Sequence, residues 1–307
     1  MKYEPLGKTG LKVSRVTFGC WELGGPPWES TSDEGNIRAL RTALDNGITS
    51  FDTAEGYGDG HSEEIVGKAL AGRRGDCVIA TKVSPKHLHA KDVRASLEAS
   101  LKRLATDYVD LYYIHWPNAE IPIEETMSEL SKIKDEGLIR AIGVSNFSLE
   151  QLKKAAELGR IDAIQPEYSL LQRDIEQGTL RFCREHSISV LSYSSVAKGV
   201  LTGAFHLGEA RLRPDDFRAK RRLFLEGQFE KEAELIHLMK EIADAKHAAV
   251  SQIAIGWLLH QPGLTSAIVG TQKERHLTEN VRAVDLELSA AELKRLSATS
   301  EKVLKSL

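Results

Sequence analysis

Eight short β-rich runs, each followed by an amphipathic segment, predict an α/β protein built as a (β/α)8 TIM barrel. Three observations carry this reading. The runs recur at roughly thirty-residue spacing, the length of one strand–helix repeat. Several are almost continuously apolar, as parallel strands covered on both faces must be. The third is the lack of a motif: no G-x-G-x-x-G turn occurs, and a doubly wound nucleotide-binding sheet needs one after an early strand.

The strands are expected at SRVTFG (14–19), ITSFD (48–52), DCVIATK (76–82), DYVDLYYIH (107–115), IRAIGVS (139–145), DAIQPE (162–167), SVLSYS (189–194) and TSAIVG (265–270). SDEGNIRALRTALDNG reads as a helix capped by Ser32 and stopped at Gly47, and SLEQLKKAAELG as one capped by Ser148 and stopped at Gly159. SEEIVGKALAG and AKDVRASLEASLKRL follow the same pattern. Residues 1–13, around the GKTG turn, predict an N-terminal hairpin that plugs the barrel bottom. After the seventh strand an extended Gly/Arg/Asp-rich loop (196–229) precedes an extra helix at about 230–247 and another at 250–260. A C-terminal helix starts after Ser289. No linker divides the chain, so residues 1–307 are expected to form one domain.

Net charge is −3, with basic and acidic residues interspersed, which argues against nucleic-acid or membrane-surface partners. No apolar run approaches the ~20 residues of a membrane span, and MKYEPLGKTGLKVSR lacks a secretory core. Cys20, Cys77 and Cys183 are odd in number and far apart, unlike a disulfide framework or a zinc site. The expectation is a cytoplasmic protein acting on small molecules.

Chemistry in such a barrel belongs at the carboxyl ends of the strands. Those ends are expected to carry Cys20, Trp21, Asp52, Lys82, His115, Ser145, Asn146, Gln165, Tyr193 and Gly270. The sharpest local feature is FDTAEGYGDGHSEE (51–64). Asp52 ends a strand, and Tyr57 follows on a loop that Gly56, Gly58 and Gly60 allow to turn sharply. Lys82 in ATKV and His115 in YYIHWP end the next two strands. Taken alone, Asp52 reads as a turn residue, Tyr57 as a loop aromatic, Lys82 as a snorkelling strand end and His115 as a half-buried imidazole. Together they form a proton-transfer group. Lys82, held by Asp52, would lower the phenol pKa from its ordinary value of about 10, and His115 would orient a substrate carbonyl or share its proton.

FDTAEGYGDGHSEE, ATKV, YYIHWP, GVSNF and IVGTQKERHLTENV occur in the order of the aldo-keto reductase superfamily, which the whole chain resembles. IGVSNFSLEQLKKA, QPEYSLLQRDIE and LSYSSVAKGVLTG are most similar to the bacterial inositol-operon-type aldo-keto reductases. The resemblance implies a metal-free oxidoreductase that interconverts carbonyls and alcohols with NADP(H), NAD(H) being the alternative, and Asp52, Tyr57, Lys82 and His115 as its tetrad. It implies that Ser145, Asn146 and Gln165 bind the nicotinamide carboxamide and that Tyr193 stacks on the ring. Main chain from Ser194 through Val196 and Lys198 to Leu201 would follow the pyrophosphate. Gly270, Gln272, Lys273, His276 and Asn280 would take the adenosine end, with Arg275 close by. Ser195 and Val269 stand where the family often has proline, which implies looser loops.

Trp21, Trp28 and Trp116, with Tyr57 and His115, are the candidates for a substrate wall, although Trp28 beside Pro26 and Pro27 also reads as surface packing. The basic run RLRPDDFRAKRR (211–222) reads first as a solvated charged helix, and second as a screen for phosphates or an anionic substrate. Cys20 is expected to be a small buried residue. Two rival functions are a Schiff-base aldolase through Lys82 and a cofactor-sensing binding module. The aldolase leaves Gln165 and Tyr193 without a role, and the module would be expected to carry a long N-terminal extension.

Overall fold

The apolar runs close into a barrel in the computed structural model, which describes residues 1–28, 32–213, 215–271 and 273–307. A hairpin of β1 (Tyr3–Pro5) and β2 (Lys12–Ser14) comes first. The barrel strands are β3 (Val16–Gly19), β4 (Ser50–Asp52), β5 (Val78–Val83), β6 (Val109–Ile114), β7 (Ile139–Ser145), β8 (Ala163–Gln165), β9 (Ser189–Ser192) and β10 (Leu264–Val269). All eight run parallel, and β10 pairs with both β9 and β3, so the barrel closes without an open edge.

Outside the barrel lie α1 (Asp33–Asp45), α2 (His61–Leu70), α3 (Ala90–Leu104), α4 (Ile123–Asp135), α5 (Leu149–Leu158), α6 (Thr179–His186), α7 (Gln228–Ala245), α8 (Val250–Leu259), α9 (Glu274–Arg282) and α10 (Ala290–Leu304). The expected caps hold. Ser32 accepts from the Gly35 amide at 3.2 Å, and Ser148 with Gln151 and Ser289 with Glu292 form reciprocal capping boxes. Gly47 ends α1 in the left-handed region at φ 84°.

The core has two layers. One packs the outer strand faces against the helices, and the other fills the barrel. Leu6 and Val13 of the hairpin are fully buried in the inner layer with Leu111, Tyr113, Ala141 and Leu191, so the hairpin does plug the bottom. Gly7 fastens it, donating its amide to Ser189 Oγ at 2.8 Å.

Several strands are shorter than expected. β6 stops at Ile114 and β9 at Ser192, which leaves His115, Tyr193 and Ser194 just past the strand ends, where the chain turns over the mouth. The basic run is not one solvated helix. It folds as two short 3-10 turns, Phe217–Lys220 and Arg222–Phe224, because Phe217, Arg218 and Phe224 face inward. Among the described residues no helix is long and apolar enough to cross a membrane.

Candidate active site

Pairing in the barrel puts Asp52 of β4 beside Ala80 of β5, so Lys82 rises one turn of the pleat above Asp52 on the same side. Lys82 is fully buried. Its Nζ donates to Asp52 Oδ1 at 2.6 Å, to the Thr53 carbonyl at 2.7 Å and to Tyr57 Oη at 3.1 Å. All three ammonium protons therefore have acceptors, as a buried charge demands. Gln165 Nε2 donates to Asp52 Oδ2 at 2.7 Å, so the carboxylate bridges β5 and β8. The loop bearing Tyr57 returns through Gly58, held at φ 61° where a Cβ would strike the Gly24 carbonyl. The His115 ring meets the Tyr57 ring edge-on, with centroids 5.7 Å apart.

Electrostatics revise two expectations. Burial of the phenol raises the Tyr57 pKa, and Lys82 only partly offsets it, so the phenol is held protonated instead of being shifted toward neutrality. Burial also works against the Lys82 ammonium, but Asp52 and Tyr57 outweigh it and keep that pKa above the ordinary lysine value. Burial, with the Lys82 charge behind it, drives His115 down to about 3. A neutral imidazole can donate an N–H to a carbonyl oxygen, but it has no extra proton to share.

Above these groups opens a cavity of about 920 Å3 that runs from Trp21, Trp28 and Tyr57 past Tyr193 to Gly270, Lys273 and His276. It shares Val196, Gly270 and His276 with a second hollow of about 360 Å3 that also reaches Arg275 and Asn280. Ser145 Oγ donates to the Gln165 carbonyl (2.8 Å), and Asn146 Nδ2 donates to the His115 carbonyl (2.9 Å) and Ser145 Oγ (3.0 Å). Tyr193 Oη donates to Asn146 Oδ1 at 2.7 Å. Asn146 takes left-handed backbone at φ 62°, and Ser148 caps α5 as expected. Ser195, in a proline-prone position, is buried and bonds the Ile268 carbonyl at 2.9 Å, so the turn is tied down by hydrogen bonds instead.

Beyond it, Ser194, Ala197 and Lys198 are left-handed, and Lys198 Nζ reaches Glu167 at 2.9 Å and Ser194 Oγ at 3.0 Å. The Leu201 side chain is fully buried, so only its main chain can face the cavity. At the far end Lys273 and His276 are exposed, Asn280 is buried, and Arg275 is paired with Glu279 at 2.9 Å. Gln272 lies outside the described residues.

The aromatic wall differs from expectation. Trp28 turns inward, 5.2 Å from Trp21 and 4.9 Å from Phe217, both edge-on. Phe217, overlooked in the sequence, also touches Trp21 at 5.8 Å. Trp116 stays at the rim, 48% exposed. Arg218 follows Phe217 inward, bonded to Asp216 at 2.7 Å and lying over the Trp28, Phe205 and Phe224 rings. Only its place directly after Asp215, Asp216 and Phe217 could have flagged it. Cys20 is buried, and burial raises its thiol pKa.

The fold and site together are a parallel (β/α)8 barrel with a buried Asp–Lys–Tyr chain and a histidine beside it at the mouth. The chain belongs to the aldo/keto reductase family, whose profile matches residues 15–301. Over 288 residues it is 38% identical to the aldo-keto reductase YhdN of Bacillus subtilis, covering 90% of this chain and 87% of that one. It is 33% identical to the NADH-specific methylglyoxal reductase of Escherichia coli, covering 95% and 96%. Among solved structures, an aldo/keto reductase from Klebsiella pneumoniae in complex with NADP and acetate is 31% identical, with a TM-score of 0.78 over 95% of this chain and 93% of that one.

Proposed function

We propose that this protein is an NADP(H)-dependent oxidoreductase that reversibly reduces aldehydes or ketones to alcohols, with Tyr57 as proton donor. The observation that supports this most is the buried chain from Asp52 through Lys82 to Tyr57, opening on the cavity with His115 beside it.

The cavity suits a long anionic dinucleotide. Ser194, Ala197 and Lys198 hold left-handed backbone in one turn, at a cost of order 1–3 kcal/mol each that is usual at ligand clamps. A Cβ on Gly270 would press to 3.0 Å from the Gly19 carbonyl and 3.4 Å from Glu22 Oε1, so glycine keeps the groove open there. Ser145, Asn146 and Gln165 would hold the nicotinamide amide, and Tyr193 would pack against the ring. Main chain from Ser194 through Val196, Lys198 and Leu201 would follow the pyrophosphate. Gly270, Gln272, Lys273, His276 and Asn280 would enclose the adenosine end. The names of the relatives divide between the two cofactors. The cation of Lys273 favours NADPH, because a 2′-phosphate contact is charge-assisted.

The chemistry that a cofactor held in that groove would supply is a hydride for the carbonyl carbon. The work of this chain is to hold the carbonyl and to supply the proton. Trp21, Trp28 and Phe217 form an apolar wall that keeps water from the reacting atoms, with Trp116 at its rim. Neutral His115 directs an N–H at the carbonyl oxygen. Tyr57, protonated because it is buried, transfers its proton to that oxygen as negative charge develops there. The Lys82 ammonium, 3.1 Å from Tyr57 Oη, stabilises the phenolate left behind. In the oxidative direction the same oxygen takes the proton back.

The test is a fluorescence titration with NADPH, followed by cofactor oxidation on a panel of aldehydes and ketones. The proposal expects saturable binding and carbonyl-dependent oxidation. Carbonyl turnover that ignores NADPH, with a borohydride-trapped adduct on Lys82, would replace it with the Schiff-base reading.

A further inference from the structure

Glu63 is the first group outside the tetrad that demands explanation. It stands in the first turn of α2, six residues after Tyr57, and its carboxylate has no exposure at all. Desolvating a carboxylate costs several kcal/mol, and a buried ion pair returns little net stability for it. Its partners show what the charge holds in place. Thr81 Oγ1 donates to Glu63 Oε1, and Arg103 Nε donates to Oε2 at 2.6 Å.

Thr81 directly precedes Lys82 on β5. Neighbouring side chains on a strand face opposite ways, so Thr81 points out to α2 while Lys82 points into the mouth. Any shift of Thr81 toward or away from α2 therefore moves Lys82 relative to Tyr57. Arg103, the second partner, packs on Gly60, the last residue of the Tyr57 loop. That glycine sits at φ 93°, and a Cβ on it would collide with the Arg103 side chain. One carboxylate thus spans the strand that carries the ammonium and the end of the loop that carries the phenol. The neighbouring Ser62 completes the anchor, with its Oγ donating to the Cys20 carbonyl and 2.8 Å from Thr53 Oγ1. The other end of the loop is pinned by the Thr53 amide to the Ala80 carbonyl at 2.9 Å.

We propose that Glu63 is a positioning residue for proton transfer, setting the Tyr57–Lys82 separation from behind the barrel wall through Thr81 and Arg103. The proposal rests on the reading of Tyr57 as proton donor. Glu63 touches neither substrate nor cofactor, so its loss should leave binding intact and act on the proton step. Without the tie, Lys82 drifts from the phenol, and the ammonium that lowers the tyrosine pKa weakens in its effect.

The experiment compares Glu63→Gln and Thr81→Val with the parent holoenzyme, measuring melting temperature, NADPH affinity, kcat, KM and the alkaline limb of the reductive pH profile. Both variants should bind NADPH as the parent does and lose about tenfold or more in kcat with KM little changed, the scale expected for small misplacements of a reacting group. In both the alkaline limb should move to higher pH, and Glu63→Asp should recover part of the loss. If Glu63→Gln fails to fold, Thr81→Val, which removes only a hydroxyl, carries the test alone. Folded variants with parental kcat and an unmoved limb would overturn the proposal, as would a loss confined to melting temperature. Parental turnover in Tyr57→Phe would instead defeat the proton-donor reading on which it rests.

Discussion

Replacing Lys82 with methionine separates what the ammonium does for the fold from what it does for chemistry. The change removes hydrogen bonds to Asp52, Thr53 and Tyr57 and leaves the buried Asp52 carboxylate with Gln165 as a remaining side-chain partner. Stranding one member of a buried pair costs about 3–5 kcal/mol. The unfolding entropy of about 2.1 cal/mol/K per residue, taken over 307 residues, converts this to a melting-temperature loss of roughly 5–8 °C. Neutralising the stranded carboxylate should recover most of it, so Asp52→Asn/Lys82→Met should melt well above Lys82→Met. Turnover should not recover in the double variant, because no ammonium then stabilises the phenolate. Circular dichroism melting and steady-state NADPH oxidation on all three proteins measure both quantities. A Lys82→Met protein that melts like the parent would show that Asp52 is not stranded, and a double variant that regains activity would show that the ammonium does not stabilise the phenolate.

Two further outcomes follow from the site. The folded pKa of His115, about 3, lies below its ordinary 6.5. In that window the unfolded chain binds a proton that the folded chain refuses. Stability from this group is complete above pH 6.5 and is lost as pH falls toward 3, so His115→Gln should flatten the acid side of a melting-temperature profile. An activity limb near pH 6.5 that His115→Gln abolishes would show instead that the imidazole works as a proton carrier. At the adenosine end, Lys273→Ala should narrow the preference for NADPH over NADH, whereas Arg275→Ala, already paired with Glu279, should change it less. Equal affinities of the parent for both cofactors would show that this segment does not read a 2′-phosphate.

The tetrad positions were legible because three of them close apolar runs, and a strand end is where hydrophobic patterning stops. FDTAEGY fixes a short loop after Asp52, so the place of Tyr57 followed from spacing alone. Burial was not legible in the same way. Nothing in ATKV or YYIHWP says that Lys82 is wholly enclosed or that His115 is held neutral, and the sign of the Tyr57 shift depends on that enclosure. The basic run 211–222 misled for a different reason. Its charged residues outnumber its aromatics, so charge composition favoured a solvated helix, while Phe217 and Arg218 reach partners nearly two hundred residues away in sequence. Trp28 and Trp116 show the same limit. Both flank strand exits, yet only the path of each loop decides that one faces Phe217 and the other the solvent.

As the proposed proton donor in an NADPH-dependent carbonyl reduction, the Tyr57 hydroxyl is tested by pairing NADPH titration with steady-state turnover in Tyr57→Phe, on a carbonyl whose chemical step limits the rate. The ring remains to pack against Trp21 and His115, so cofactor affinity should match the parent. Reduction should fall by roughly 10²–10⁴, the usual worth of a placed general acid. Parental turnover in a folded Tyr57→Phe protein would mean that another group supplies the proton.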